Sequence, residues 1–541
     1  MPDGVHLAGD LHLPSRVHDG VRVPTLLQRT PYDRADPHET QVMTSLPIPR
    51  ALDAGFAVLI VDVRGRHGSE GDFTPFAHEV ADGRAVLAWV RAQPWSDAHV
   101  VGYGPSYVGA VQFLPPGAGG YDAILPAFTS ADPQRRWARR GGAGNLGFLL
   151  LWALEALAPH DLDRRGVPVG DPRRVLLEQV LADPERALDR LPVLDPALDP
   201  ALESLAPWLG TWPEPEQERP AADAAPVPAL HTAGLHDVFL DDSLATWTAM
   251  RAGAAGERQR LVIGPWSHAN RGEWQGRIRH GGGASAAAID LAGRQLAFAT
   301  AVLAGHAPAG PPVVHFVTGR DGWCTASDWP PPGADLVLHL DGGRLAASPG
   351  AAASRSFTAD PGDPVPTCGG PTFLPGMAVG RHAGPHDQRE IEDRDDVLVL
   401  RGDPLTQALA VVGMVRAELW CSSEAVDLDW ALRLVDIDPD GVPLGVVDGI
   451  RRVVQQPGVM RVRVEIGQVS HEFGPGHRIG LQVAGSAHPR FDRVTHTGAD
   501  PWRTPLAAMR PAVQTLHTGG VHPSRLILPV PHRLHPLEET P

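Results

Sequence analysis

The first third of the chain alternates apolar, β-branched runs with segments of helical periodicity. Residues 56–63, FAVLIVDV, are almost continuously apolar, which is typical of a strand buried on both faces of a parallel sheet. Residues 79–93 place apolar side chains at helical spacing, and residues 99–103 form the next short apolar run. Strand, helix and strand at this spacing predict a βαβ unit, so we expect an α/β domain with a mostly parallel sheet, which resumes at residues 124–125.

The pattern changes after residue 130, where Arg-, Leu-, Ala- and Pro-rich helical segments follow one another without a strand signal. Sheet-like runs return at residues 227–234 and 260–264, with a helical segment at 242–250 between them. A helical block that interrupts an α/β pattern predicts a cap inserted over the active end of the sheet. The predicted parts are a catalytic domain, residues 1–130 and 223–310, and a helical cap, residues 131–222.

Beyond the proline-rich segment 329–335 the chain becomes strand-like to its end. Short runs such as DVLVL, DWALRLVDI and HRIGLQV are separated by turn signals such as DPDG and GPG. Many short strands with regular turns are typical of a sandwich or a jelly roll. We therefore expect residues 311–541 to form a C-terminal jelly-roll β domain.

Length and charge narrow the functional classes. A chain of 541 residues is longer than one hydrophobic core can serve, which excludes a lone small binding module. Its net charge of -16 has the wrong sign for a protein that neutralises phosphates or lies on anionic lipid. Neither nucleic acid nor a membrane is therefore an expected partner, and both a monomer and a homodimer stay open.

Cysteine and histidine usage bears on location and metals. The three cysteines, Cys324, Cys368 and Cys421, are too few for a disulfide framework or a four-ligand thiolate metal site. Isolated histidines such as His315 and His339 show no metal spacing. No segment has the pattern of a signal peptide or of a membrane span. We expect a cytoplasmic protein without metal or cofactor.

A glycine-rich segment after the strand at 99–103 contains a candidate nucleophile. Residues 101–109 read VGYGPSYVG, so that Gly104 and Gly109 flank Ser106. A serine nucleophile in an α/β hydrolase lies on a strained strand-to-helix turn, where larger neighbours would clash. The usual G-x-S-x-G spacing is not met, because Val108 stands where the second glycine is expected. Taken alone, such a segment is more often a structural turn.

Two later residues supply the partners that a serine nucleophile needs. A serine hydroxyl requires an imidazole to take its proton and a carboxylate to orient that imidazole. ALHTAGLHD ends a predicted strand at Asp237, and RLVIGPWSH ends another at His268. In α/β hydrolases the three residues follow in the order Ser, Asp, His, each just after a strand. The order and placement here agree with that arrangement.

Five segments carry a family resemblance. RTPYDR (29–34), DVRGRHGSEGDF (62–73), GPSYVG (104–109), TAGLHDVF (232–239) and GPWSH (264–268) closely resemble the cocaine-esterase-like (CocE/NonD) branch of the Xaa-Pro dipeptidyl-peptidase family. Later stretches such as DPGDPVPTCGG and GHRIGLQVAGSAHPRFDR resemble that family's C-terminal domain. The resemblance covers nearly the whole chain. It implies an α/β-hydrolase domain, an inserted helical cap and a C-terminal jelly roll.

The same resemblance implies roles for individual residues. Ser106 would be the nucleophile, His268 the general base and Asp237 the residue that orients it. The oxyanion hole would consist of the backbone N–H of Tyr107 and the phenol of Tyr32. Two preorganised donors aimed at the developing negative charge would each lower the barrier by about 3 kcal/mol. Without the resemblance, Tyr32 is more simply a turn residue.

Three aromatic residues fall where that family has its acyl-binding pocket: Trp137, Trp152 and Phe239. Apolar residues in a cap can equally serve packing alone. Two features depart from the family pattern. Pro105 precedes the nucleophile, and its fixed φ could distort the turn. Pro115 and Pro116 limit the helix expected after Ser106 to roughly eight residues, or about two turns.

The functional expectation is a serine hydrolase that cleaves a small-molecule ester through an acyl-enzyme. One alternative on the same scaffold is an Xaa-Pro dipeptidyl aminopeptidase or an amide acylase. An alternative of another class is an inert binding protein whose jelly roll recognises its ligand.

Overall fold

A computed structural model describes residues 1–114, 119–133, 137–194, 227–373 and 383–538. In chain order, the strands before residue 330 are β1 (Gly9–His12), β2 (Val23–Thr30), β3 (Ala57–Asp62), β4 (Ser96–Pro105), β5 (Ala123–Ala127), β6 (Arg139–Arg140), β7 (Ala143–Gly144), β8 (Ala229–Gly234), β9 (Gln259–Gly264), β10 (Trp274–Gln275), β11 (Ile278–Arg279), β12 (Val313–Val317) and β13 (Gly322–Ala326).

The later strands are β14 (Gly333–Asp341), β15 (Arg344–Ala346), β16 (Ala353–Ala359), β17 (Leu398–Arg401), β18 (Leu409–Ser422), β19 (Asp427–Ile437), β20 (Pro443–Val454), β21 (Met460–Phe473), β22 (Arg478–Ala484), β23 (Ala512–Thr518), β24 (Arg525–Pro531) and β25 (His535–Pro536). The α-helices are α1 (Ile48–Asp53), α2 (Glu79–Arg91), α3 (Ser106–Ala110), α4 (Leu146–Leu151), α5 (Ala158–Arg164), α6 (Pro172–Leu181), α7 (Pro184–Asp189), α8 (Leu240–Arg251), α9 (Leu291–Leu303) and α10 (Arg389–Glu392). A π-helical turn, Trp152–Leu157, joins α4 to α5.

The first sheet is built on parallel strands. Among the described residues it has ten strands in the order β1-β3-β2-β4-β5-β8-β9-β12-β13-β25. Pairing is parallel from β3 to β12, whereas β1, β13 and β25 pair antiparallel at the two edges. All six residues of β3 are buried, because helices cover both faces of a parallel sheet. The predicted parallel α/β sheet is confirmed.

This sheet extends past residue 310, the predicted end of the catalytic domain. β12 continues the parallel series beside β9, and β13 turns back against it. β25, near the C-terminus, pairs with β13 and lies at the edge. The sheet therefore collects residues from both ends of the chain.

The cap region is helical, with one addition. α4 to α7 and the π-helical turn lie within the predicted segment 131–222, of which residues 134–136 and 195–222 lie outside the described residues. The addition is a hairpin of β6 and β7, whose two-residue strands are too short to show a periodic pattern. The hairpin contacts the C-terminal domain, since the N–H of Gly144 donates to Asp492 Oδ1 at 2.9 Å.

The C-terminal part is a β domain, as predicted. Among the described residues its main sheet has eleven strands, with β16-β23-β18-β24-β14-β15-β17-β22-β19-β20 in spatial order and β21 paired with β18. Apolar side chains from these strands, such as Val415, Trp430 and Leu481, form a separate buried core. Within the described parts of the chain, no helix combines the length and apolar character that a membrane-spanning segment needs.

Candidate active site

Ser106 lies at the sharp turn between β4 and α3. Its φ is 56°, in the left-handed region, whereas Pro105 before it is extended with φ -95° and ψ 170°. A left-handed serine between a strand and a helix is the geometry of a nucleophile elbow, which turns the side chain out of the sheet. The fixed φ of Pro105 is compatible with this turn, so the departure from the family pattern leaves the elbow intact.

Close packing at the elbow explains its two flanking glycines. Gly104 has φ +128°, and a Cβ there would collide with the Val108 side chain. A Cβ on Gly109 would lie 2.7 Å from Thr129 Cγ2. Thr129 in turn donates from its hydroxyl to the Ser106 carbonyl at 2.7 Å, which ties the turn to the segment that follows β5. Glycine is required at both positions by contact, although Val108 breaks the usual motif.

Asp237 and His268 follow the ends of β8 and β9. His268 Nδ1 donates to Asp237 Oδ1 at 2.8 Å, and both side chains are buried. The two loops are held together by backbone bonds, since the N–H of His236 donates to the Trp266 carbonyl at 2.9 Å. Because Nδ1 is engaged by the carboxylate, Nε2 is the ring nitrogen that can take a proton. The pair has the geometry of a general base and its orienting acid.

Tyr32 follows β2 and lies against both Ser106 and the cap. Trp152 Nε1 donates to the Tyr32 hydroxyl oxygen at 3.0 Å. Burial raises the pKa of Tyr32 above its ordinary value, and hydrogen bonds with Trp152 and Ser106 oppose that shift. The phenol therefore keeps its proton at neutral pH. Because the Trp152 indole donates to the phenol oxygen, the phenol proton remains available to a second acceptor.

Tyr107, the residue after the candidate nucleophile, has its backbone and its side chain in different surroundings. Its N–H lies in the first turn of α3, where amide groups have no acceptor within the helix. Its side chain is used elsewhere, because the hydroxyl donates to Glu79 Oε1 at 2.9 Å and accepts from the N–H of Phe76 at 3.0 Å. The tyrosine hydroxyl thus anchors the start of α3, whereas the amide has no acceptor within the helix.

The three predicted pocket residues lie together in one buried aromatic cluster. Trp137 stacks on Phe239 with ring centroids 4.6 Å apart, and Trp152 stacks on Phe148 at 5.9 Å. Phe239 also contacts the His268 ring edge-on at 5.4 Å. The cluster therefore reaches the candidate base itself.

Two members of this aromatic cluster, Phe148 and Phe373, were not predicted from the sequence. Phe148 lies in the apolar first turn of α4, a segment that the sequence marks only as helical. Phe373 comes from the C-terminal part of the chain, and its ring lies 4.4 Å from that of His268 and 5.2 Å from that of Phe148. No local pattern signals such a long-range contact. Among the described residues, no group of three His, Cys, Asp or Glu side chains could hold a metal ion.

A left-handed serine at a strand-to-helix turn and a carboxylate–imidazole pair, each after a strand of a parallel sheet, are the geometry of a hydrolase of the α/β type. Comparison with known proteins agrees with this class. Residues 3–270 match the family model of the X-Pro dipeptidyl-peptidase (S15 family), and residues 306–527 match the X-Pro dipeptidyl-peptidase C-terminal non-catalytic domain. The chain is 34% identical to the cocaine esterase of Rhodococcus sp. (strain MB1 Bresler), across 98% of this chain and 97% of that protein.

The chain therefore belongs to the X-Pro dipeptidyl-peptidase (S15) family, and it is an enzyme of the hydrolase class. Two solved structures share its fold over 98% of this chain and 95% of theirs. They are an aminopeptidase from a marine-sediment archaeon, Thaumarchaeota archaeon, at TM-score 0.77 and 22% identity, and an α-amino acid ester hydrolase at TM-score 0.71 and 23% identity. The resemblance read from the sequence is confirmed.

Proposed function

We propose that this enzyme cleaves carboxylic esters, with Ser106 as nucleophile, His268 as general base and Asp237 as the residue that orients the base. The observation that carries the proposal is the 2.8 Å bond between His268 Nδ1 and Asp237 Oδ1; this pair follows β8 and β9, strands of the same sheet as β4, which ends at the left-handed turn of Ser106. A bond at Nδ1 fixes the tautomer in which Nε2 is a base. The similarity to an enzyme named cocaine esterase supports ester over amide cleavage.

The proposed reaction has two halves. Ser106 Oγ attacks the ester carbonyl carbon while His268 Nε2 takes the hydroxyl proton. The carbonyl oxygen becomes an oxyanion, which accepts hydrogen bonds from the Tyr107 N–H and the Tyr32 O–H. His268 then gives its proton to the departing alcohol, which leaves the acyl group on Ser106. Water attacks the acyl-enzyme in the same way, and the carboxylic acid is released as Ser106 recovers its proton.

The buried aromatic cluster indicates what kind of acyl group would fit. Trp137, Trp152, Phe148, Phe239 and Phe373 are all buried and are packed ring against ring. A surface of this composition gains by covering apolar area and by stacking on planar groups. We propose that the acyl group is apolar, and that an aromatic acyl group is preferred to an acetyl group.

Covalent labelling and an ester series test the proposal. A fluorophosphonate probe should label the wild type but not Ser106→Ala, because the probe bonds only to an activated serine. Turnover of p-nitrophenyl acetate, butyrate and benzoate should then rise along the series. A wild type that the probe does not label would overturn the proposal in favour of an inert binding protein. Release of X-Pro dipeptides from peptides, at rates above those of all three esters, would favour the peptidase.

We also propose a cytoplasmic location. Cys324, Cys368 and Cys421 are all free thiols, and two of them are buried. Unpaired cysteines of this kind are typical of a reducing compartment. Cell fractionation with an antibody to the chain tests the location, and recovery in the culture medium would contradict it.

A further inference from the structure

Arg66 is a buried cation that lies between the loop of Tyr32 and the cap. The residue is only 1% exposed. Nε donates to the Pro31 carbonyl at 2.8 Å, Nη1 to the Leu157 carbonyl at 3.1 Å and Nη2 to the Ala156 carbonyl at 2.9 Å. The guanidinium fork therefore joins two segments that are distant in the chain.

Both segments lead directly to the oxyanion donor. Pro31 is the residue before Tyr32, so Arg66 holds the peptide that sets the position of the phenol. The other two carbonyls end the π-helical turn Trp152–Leu157, and that turn begins with the indole that donates to the Tyr32 hydroxyl. Arg66, the Tyr32 loop and the π-helical turn thus form a closed ring of contacts.

The electrostatics of Arg66 are unusual for a buried arginine. Among the described residues, no carboxylate lies within ion-pair distance of it, so its hydrogen-bond acceptors are neutral carbonyls. Burial lowers the pKa of Arg66 to about 10, and nearby Tyr32 and Asp161 oppose that shift. The guanidinium is still charged at neutral pH. A buried charge without a counter-ion is costly, and here its stabilisation comes from the carbonyls of the two segments that it joins.

We propose that Arg66 is a positioning residue for the oxyanion hole, one that acts through Tyr32. It sets the distance between the Pro31 carbonyl and the end of the π-helical turn, which keeps the Trp152 N–H on the phenol oxygen and the phenol proton aimed at the oxyanion. Supporting contacts of this kind hold reacting groups to within a fraction of an ångström. The inference rests on the proposed ester hydrolysis and on the role of Tyr32 in it.

A double-mutant cycle between Arg66 and Tyr32 tests the inference. Arg66→Met, Tyr32→Phe and the double variant are compared with the wild type on one p-nitrophenyl ester. If Arg66 acts through the phenol, Arg66→Met should lower kcat by about tenfold or more in the wild-type background and by less than about twofold beside Tyr32→Phe. KM should change by less than about threefold, because the oxyanion exists only after attack. Loss of fold alone would lower kcat equally in both backgrounds.

Arg64→Met is the matched control, because it is the same substitution two residues away. Arg64 is also buried, but its guanidinium pairs with Asp82 at 2.8 and 2.7 Å and with Asp3 rather than with the Tyr32 loop. This control should lower the melting temperature and have the same effect on kcat in both backgrounds. If Arg66→Met does not fold, Arg66→Lys replaces it; lysine keeps the charge but not the fork, so a smaller loss with the same dependence on Tyr32 is expected.

The outcomes distinguish a failure of the positioning role of Arg66 from a failure of the proposed ester hydrolysis. The positioning role is overturned if Arg66→Met, or Arg66→Lys in its place, lowers kcat equally in the wild-type and the Tyr32→Phe backgrounds. The proposed function is unaffected by that result, because the wild type still turns over esters and Ser106 is still labelled. A wild type that neither turns over esters nor reacts with the fluorophosphonate would overturn the proposed function and the inference with it.

Discussion

Removal of a single oxygen atom, in Tyr32→Phe, separates the chemistry of the site from its packing. The phenol oxygen accepts from Trp152 Nε1 at 3.0 Å, which leaves the phenol proton for the proposed oxyanion. Loss of one such donor lowers kcat by about 10² to 10³, equivalent to about 2.7–4 kcal/mol of transition-state stabilisation. KM should stay within about threefold, because the ground-state carbonyl is bound more weakly by the same donor.

The same substitution has a separate cost in stability. Trp152 is 2% exposed, and Tyr32→Phe removes the hydroxyl oxygen to which its indole N–H donates. Loss of one partner of a buried hydrogen bond costs about 1–3 kcal/mol. The melting temperature of Tyr32→Phe should therefore fall by a few degrees. At a temperature where the wild type and Tyr32→Phe are both folded, this loss of stability should not contribute to the measured change in kcat.

Tyr103→Phe is the control, since it removes the same atom three residues before the nucleophile. The Tyr103 hydroxyl is buried and has no hydrogen-bond partner among the described residues. Its removal should leave kcat unchanged and should leave the melting temperature equal or higher. Steady-state kinetics and thermal melts of both variants decide the question. If Tyr32→Phe turns over an ester as fast as Tyr103→Phe, the phenol is not an oxyanion donor and the reasoning is refuted.

Three further outcomes are expected. Asp237→Asn should lower kcat by about 10⁴, because an amide cannot fix the His268 tautomer; retention of a tenth of the wild-type kcat would contradict the assignment. Tyr107→Phe should lower the free energy of unfolding by about 1.5–3 kcal/mol, because Glu79 Oε1 loses its donor, and should change kcat by less than about threefold. Denaturant unfolding and steady-state kinetics measure the two effects. A hundredfold loss of kcat would contradict a role for Tyr107 through its backbone amide alone. A raised pKa keeps Tyr32 protonated at alkaline pH, so kcat/KM should stay level from about pH 8 to 9.5, and a fall centred below about pH 9 would count against it.

The elements that the sequence predicts well are those with a local physical cause. β3 is continuously apolar because it is buried on both faces, and the pattern survives in any window of the sequence. Ser106, Asp237 and His268 each follow a strand of the parallel sheet, whose carboxyl ends meet at one edge. A correct strand assignment is therefore enough to predict that all three residues lie at the same edge of the sheet.

Other parts of the site have no local signal. Phe373 contacts His268 from more than one hundred residues away in the chain, and nothing around it distinguishes it from a core phenylalanine. Arg66 lies in a segment whose charges suggest only a solvated loop, yet its guanidinium is enclosed by carbonyls from two segments. β25 has two residues, and only its partner β13 makes it a strand. Such features depend on tertiary contacts, which a single sequence does not encode in its periodicity.

The contact between Phe373 and His268 also gives the enzyme an order of assembly during synthesis. In a chain made from its N-terminus, Ser106, Asp237 and His268 are all synthesised before residue 373, and β25, which completes the β13 edge, is synthesised later still. Until then the imidazole has its aromatic neighbours Phe128 and Phe239 but lacks Phe373. We therefore expect the surroundings of the candidate base to be completed only after the first part of the β domain has been synthesised.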